Sequence, residues 1–204
     1  MPRNSSTEVC ERKAKVTSAI AVSQIAGIPV QRIARIAGVL YVVNTATSLY
    51  AMFGPHTRLA VFCGLVGTAS YVTITVLFYI LFKPVSRSLS FIALLFSMAG
   101  SVVGNLFWFH LPPLPINFLV FFGFYCALIG YLIIRSLFMP RFVGVLMVGA
   151  GLGYLTLLWP PLGNSLEPYN LILGGIGEWT LTVWLLVKGV DQSAWHKQAN
   201  MRAA

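Results

Sequence analysis

Of the five acidic residues in the chain, Glu178 alone stands inside a long apolar run. Counting 1.5 Å per residue from Pro168 puts it about 15 Å along that run, near the centre of a hydrocarbon core about 30 Å thick. An ionised carboxylate at that depth costs on the order of 2.5–3.5 kcal/mol. Its side chain must therefore face other protein groups, and it is protonated, hydrogen-bonded or both. Two readings stand side by side. Glu178 is a proton- or cation-linked site, or it is a neutral acid that ties two helices together.

Depth selects its expected partners. Asn44 lies nine residues in from Arg35, about 13 Å from the same membrane face, and is level with Glu178. Tyr41, Thr45 and Ser48 share its side at helical spacing. A second stripe, Ser97, Ser101 and Asn105, recurs every four residues, and a third, Tyr71, Thr75 and Tyr79, does the same. Taken singly, such a stripe supplies interhelical hydrogen bonds worth about 0.6 kcal/mol each. Taken with Glu178, the stripes outline a polar interior. The candidate ligand- or proton-binding residues are Glu178, Asn44, Tyr41, Tyr71, Ser101 and Asn105, with Asn44 and Glu178 expected to meet at mid-membrane.

Other chemistry finds little support. The chain has no HExxH, GxSxG or CxxC motif and no paired carboxylates, so no catalytic residue is assigned. His56, His110 and Glu167 fall in or beside three connecting segments, a weak basis for a metal site, and neither a metal nor a cofactor is expected. Three cysteines form no redox pair; Cys10 reads as a reduced thiol, and Cys63 and Cys126 as packing residues. His196 reads as surface. Gly100-xxx-Gly104, Gly149-x-Gly151-x-Gly153 and Gly174-Gly175-x-Gly177 sit in apolar runs with no strand before them. They are not phosphate loops, but sites where helices approach closely within the chain or, in an oligomer, between copies.

The elements that hold these residues follow from composition. Across 204 residues the chain is 57% hydrophobic and only 9% charged, with a mean hydropathy of +0.80. So few charges cannot cover a water-exposed surface, and the same numbers exclude disorder. Six apolar stretches are long enough to cross a bilayer as helices: about 36–54, 59–82, 89–110, 114–134, 142–159 and 169–187. The expected fold is an all-α integral membrane bundle of six transmembrane helices and membrane lipid its immediate partner. Residues 1–31 form a basic tail with a short surface-lying helix, 32–190 the membrane domain, and 191–204 a second tail. A cleaved signal peptide is the rival reading of the first segment, and Ser23 and Gln24 interrupt its apolar part.

The net charge of +9 would point to nucleic acid on a soluble chain. Here all but one of the 14 Lys and Arg residues fall on a single side of the six runs; Arg58 is the exception. That split predicts both termini in the cytoplasm and excludes nucleic acid as the partner.

The runs also read as three tandem hairpins. Tyr79-Ile-Leu-Phe-Lys83, Tyr131-Leu-Ile-Ile-Arg135 and Trp184-Leu-Leu-Val-Lys188 recur at offsets of 52 and 53 residues. Equal hairpins obeying the same charge and aromatic rules would show much of this without a true repeat.

Three segments carry a resemblance: Gln31-Arg-Ile-Ala-Arg-Ile-Ala-Gly-Val-Leu-Tyr41, Gly130-Tyr-Leu-Ile-Ile-Arg-Ser-Leu-Phe-Met-Pro-Arg-Phe-Val-Gly144, and Gly177-Glu-Trp-Thr-Leu-Thr-Val-Trp-Leu-Leu-Val-Lys-Gly189. Over about residues 31–190 the chain resembles the bacterial six-span membrane family catalogued as domain of unknown function 4386. The resemblance implies a small protein of the bacterial inner membrane and brings no catalytic residues.

Three functions compete. The first is small-molecule or proton/ion-linked binding or transport through a cavity centred on Glu178. The second is a structural or regulatory membrane protein without chemistry. The third, a lipid-modifying membrane enzyme, lacks the usual carboxylate or His cluster.

Overall fold

The computed structural model describes residues 29–55, 57–106 and 117–203, and all regular structure among them is helical. Six long helices are α1 (Val30–Phe53), α2 (Arg58–Phe82), α3 (Arg87–Asn105), α4 (Phe118–Arg135), α5 (Arg141–Leu155) and α7 (Tyr169–Val187). A 3-10 turn at Thr156–Leu158 extends α5, and two further helices are α6 (Pro160–Ser165) and α8 (Gln192–Ala203). Proline and small polar residues punctuate them. Ser86 Oγ accepts the Leu89 N–H at the start of α3, and Asn117 Oδ1 accepts the Leu119 N–H at the start of α4.

Five helices are long and apolar enough to cross a membrane: α2, α3, α4, α5 with its 3-10 extension, and α7. That is the pattern of a multi-pass membrane protein, and a helix is suited to it because its backbone satisfies its own hydrogen bonds. At 24 residues α1 has the length, but Arg32, Arg35, Asn44, Thr45, Thr47 and Ser48 dilute its apolar character.

Each long helix packs against the next in chain order, and α7 returns against α1, closing a ring. Inside it lie Tyr41, Ile74, Phe78, Tyr125, Ile129, Met147, Leu181 and Leu185, all fully buried. The α4–α5 seam is the most tightly packed. A Cβ on Gly130 would sit 2.6 Å from the Gly144 carbonyl oxygen, one on Gly144 2.7 Å from that of Gly130, and one on Gly151 2.7 Å from that of Gly123. Four glycines, spaced seven apart on each helix, bring the two backbones together. A second seam joins α5 to α7, where a Cβ on Gly177 would meet the Leu146 carbonyl oxygen at 2.6 Å. These glycines are occupied within the chain; among the described residues nothing lies within 4 Å of a Cβ on Gly175.

Three boundaries differ from the sequence-based expectations. First, α1 begins at Val30 rather than near 36, because Pro29, with φ −58°, leads directly into the first turn. The stretch between the expected spans 142–159 and 169–187 is itself partly helical, α6, since Pro160 and Pro161 occupy a first turn whose N–H groups need no partner. The segment after 190 is a docked helix. Trp195 Nε1 donates to the Leu81 carbonyl at 2.9 Å and Arg202 to that of Lys83 at 2.8 Å. Gln198 donates to the Arg135 carbonyl at 3.3 Å and accepts from the Leu137 N–H at 3.0 Å. These bonds satisfy carbonyls that the ends of α2 and α4 leave open. The N-terminal segment up to 28, His56 and His110 lie outside the described residues.

Candidate functional site

Glu178 stands midway along α7, on the face turned toward the ring interior. Gly174, one turn before it, and Gly177, the residue before it, clear the space that lets α7 approach α5. The carboxyl meets the middle of α4, where Cys126 Sγ donates to Oε1 at 3.7 Å. The Tyr154 phenol of α5 stands beside the same carboxyl and covers Gly174 so closely that no Cβ fits there. The Glu178 backbone carbonyl accepts from Thr182 Oγ1 at 2.8 Å.

Three more tyrosines complete the surroundings. Tyr41 on α1, Tyr71 on α2 and Tyr125 on α4 all lie within electrostatic reach of the carboxyl. Their rings pack edge to face: Tyr41 to Tyr71 at 6.2 Å between centroids, and Tyr71 to Tyr125 at 6.0 Å. Tyr41 is 1% exposed and Tyr125 0%. The nearest polar neighbours of the Tyr125 hydroxyl are Tyr41 and Thr75, and among the described residues neither the Tyr41 nor the Tyr125 hydroxyl has a partner in hydrogen-bonding geometry. Such a group costs about 1–3 kcal/mol while unsatisfied, and phenylalanine would fill the same space without the cost. Alongside, Thr75 Oγ1 donates to the Tyr71 carbonyl at 2.9 Å and lies 2.7 Å from Ser97 Oγ. A hydroxyl carries one hydrogen, so Ser97 is the donor in that pair. All six long helices thus contribute a polar side chain to the centre of the ring.

The six residues expected from the sequence separate into two groups. Tyr41 and Tyr71 pack on each other at the centre, within electrostatic reach of Glu178. Asn44 does not join them: its Oδ1 accepts from Ser48 Oγ at 3.4 Å and lies where a Cβ on Gly67 would be 3.6 Å away. Among the described residues no hydrogen bond joins Asn44 to Glu178, so equal depth did not bring them together. Their helices are neighbours, but Asn44 is turned toward α2. Ser101 and Asn105 belong to a separate cluster between α2 and α3. Asn105 Nδ2 donates to the Ser101 carbonyl at 2.6 Å and Thr68 Oγ1 to Asn105 Oδ1 at 3.0 Å.

Cys126, read from the sequence as a packing residue, is instead the hydrogen-bonding partner of the buried acid. Tyr125 and Tyr154 carried no polar-stripe signal, because their neighbours at helical spacing are apolar. One signal was available for each: a tyrosine inside an apolar run must place its hydroxyl somewhere. No group of three His, Cys, Asp or Glu suited to a metal occurs among the described residues.

Comparisons with known proteins lead to a family of unknown function and an uncharacterized relative. Residues 117–189, covering α4 to the end of α7, match the family described as "Domain of unknown function (DUF4386)". The chain is similar to an uncharacterized protein of Archaeoglobus fulgidus, 29% identical over 127 residues, covering 58% of this chain and 76% of the relative. No solved structure matches.

Proposed function

We propose that this is a six-span protein of the plasma membrane that binds and passes a proton, or a small proton-linked ligand, at Glu178. The observation that carries the reading is the Glu178 carboxyl held against Cys126 and Tyr154 at the centre of the helix ring, with the buried Tyr41 and Tyr125 hydroxyls within electrostatic reach of it. A carboxyl faced by the Cys126 thiol and the Tyr154 phenol, and two phenols with no partner in bonding geometry among the described residues, retain unused bonding capacity in one place. A purely structural acid would use that capacity, since Ser, Thr or Asn supplies a hydrogen bond at lower cost in hydrocarbon.

The membrane setting follows the same physical rules. In this reading α1 is the sixth span, its Asn44, Thr47 and Ser48 turned toward α2 and its place in the ring set by α2 and α7. Both termini lie in the cytoplasm, where Arg32, Arg35, Lys83, Arg87, Arg135, Arg141 and Lys188 gather at one end of the helices. The three pairs α1–α2, α3–α4 and α5–α7 are tandem hairpins. Cys126 and Glu178 are 52 residues apart, the same interval that separates the hairpin ends.

The test is proton movement. Protein reconstituted into liposomes with a trapped pH-sensitive dye is given a pH step. The wild type should dissipate the gradient faster than empty liposomes, and Glu178→Gln should not. Equal rates for both proteins would leave Glu178 a structural group.

A further inference from the structure

A groove of about 490 Å³ runs along the outer face of α7 and is lined by Phe142, Trp179, Thr180, Val183, Trp184, Val187 and Lys188. It is separate from the ring interior. Its walls are apolar and aromatic: Phe142 meets Trp184 edge to face at 5.5 Å between centroids, and Trp179 is 48% exposed. One turn from Trp179 toward the start of α7 the same stripe continues at Gly175, where among the described residues no atom lies within 4 Å of a side-chain position, so the channel is open past the middle of α7. At its other end stands the exposed cation Lys188, which lines the groove, and a second exposed cation, Arg141, is the residue next to the lining Phe142 at the start of α5. The nearest acid in sequence, Asp191, is engaged elsewhere, accepting from Ser193 Oγ at 2.7 Å and the Ala194 N–H at 3.1 Å.

We propose that this groove holds one anionic phospholipid, its acyl chain lying along α7 between Trp179 and Phe142 and its phosphate at Lys188 and Arg141. Charge and membrane position argue for this occupant. The apolar groove ends in cations at the level where a headgroup begins, the arrangement that selects anionic lipids over zwitterionic ones. Annular lipid without a specific seat would respect the apolar walls but would not discriminate by charge. The inference needs only a membrane setting and does not depend on the chemistry of Glu178.

Tryptophan fluorescence quenching tests it. The full-length protein is reconstituted in phosphatidylcholine vesicles, and brominated phosphatidylglycerol or brominated phosphatidylcholine is titrated in. Trp179 and Trp184 should be quenched preferentially by the glycerol lipid. Each basic side chain should contribute about fivefold to that preference, so Lys188→Gln combined with Arg141→Gln should abolish it while leaving helical circular dichroism unchanged. Trp179→Phe combined with Trp184→Phe should also remove the selective part of the quenching, which separates this groove from the other tryptophans. Equal quenching by both lipids in the wild type, or selectivity surviving the double charge variant, overturns the proposal. So does a Val183→Cys variant that cross-links efficiently to a second copy, because a protein neighbour would then fill the groove.

Discussion

Cys126 Sγ lies 3.7 Å from Glu178 Oε1, joining the midpoint of α4 to the midpoint of α7 across the interior of the helix ring. This contact makes the two glutamate readings separable. Glu178→Gln keeps a group of the same shape that can accept from the thiol, so the folded bundle should persist, with a melting temperature in detergent near the wild-type value. Glu178→Ala leaves the Tyr154 and Cys126 groups facing an empty space and should cost about 1–3 kcal/mol. A Gln variant that melts as early as the Ala variant would show that the acid's proton chemistry is part of the fold itself.

The two orphan phenols behave oppositely in stability and in function. Removing an unsatisfied buried hydroxyl relieves its desolvation cost. Tyr41→Phe and Tyr125→Phe should therefore be neutral or stabilising, by up to about 1–3 kcal/mol, in thermal unfolding. Both should slow proton movement in liposomes if the hydroxyls take part in it. Strong destabilisation by either change would reveal a partner that the fold depends on.

The glycine seams give a graded packing test. Gly130→Ala and Gly151→Ala each place a Cβ 2.6 Å from backbone atoms of the facing helix, which cannot yield as a side chain does. Each should cost about 1–3 kcal/mol or more, read as lowered thermal stability. Gly175→Ala meets nothing within 4 Å and should gain up to about 1 kcal/mol from helix propensity. A reversed order would mean that α4 and α5 do not pack in this register.

The docked helix α8 should respond to acid. Asp191 is its N-cap, and bonds from the Ser193 hydroxyl and the Ala194 N–H hold its carboxyl below the ordinary aspartate range. A lowered value means that this contribution is present at neutral pH and is lost as pH falls through the lowered value. Protection of the α8 amides should thus fall as pH drops below the ordinary aspartate range, and Asp191→Ala should show the lowered protection already at neutral pH.

At the turn before α8, Gly189 has φ +68°, and Gln31 clasps the backbone around it. The Gln31 amide donates to the Lys188 carbonyl at 2.8 Å and accepts from the Val190 N–H at 2.9 Å. A Cβ at 189 would be strained and would strike the Gln31 amide 2.6 Å away. Gly189→Ala should cost about 1–2 kcal/mol and loosen α8, measured as faster proteolysis after Lys197. Protease resistance equal to wild type would count against the clasp.

The sequence by itself determined that this is a helical membrane protein, with α7 predicted over the residues it occupies. It also singled out Glu178 as the buried acid. These are local properties: length and hydropathy decide which segments cross hydrocarbon, because each helix satisfies its own backbone. What only the tertiary structure decided is the rotation of each helix about its axis and the choice of its neighbours. Depth placed Asn44 beside Glu178, but rotation turned Asn44 toward Gly67 of α2 and turned Cys126, Tyr125 and Tyr154 inward in its place. The return of α7 against α1 and the seating of Trp195 on Leu81 are also long-range facts. They depend on side-chain fit between segments distant in the chain, which the hydropathy of each segment cannot carry.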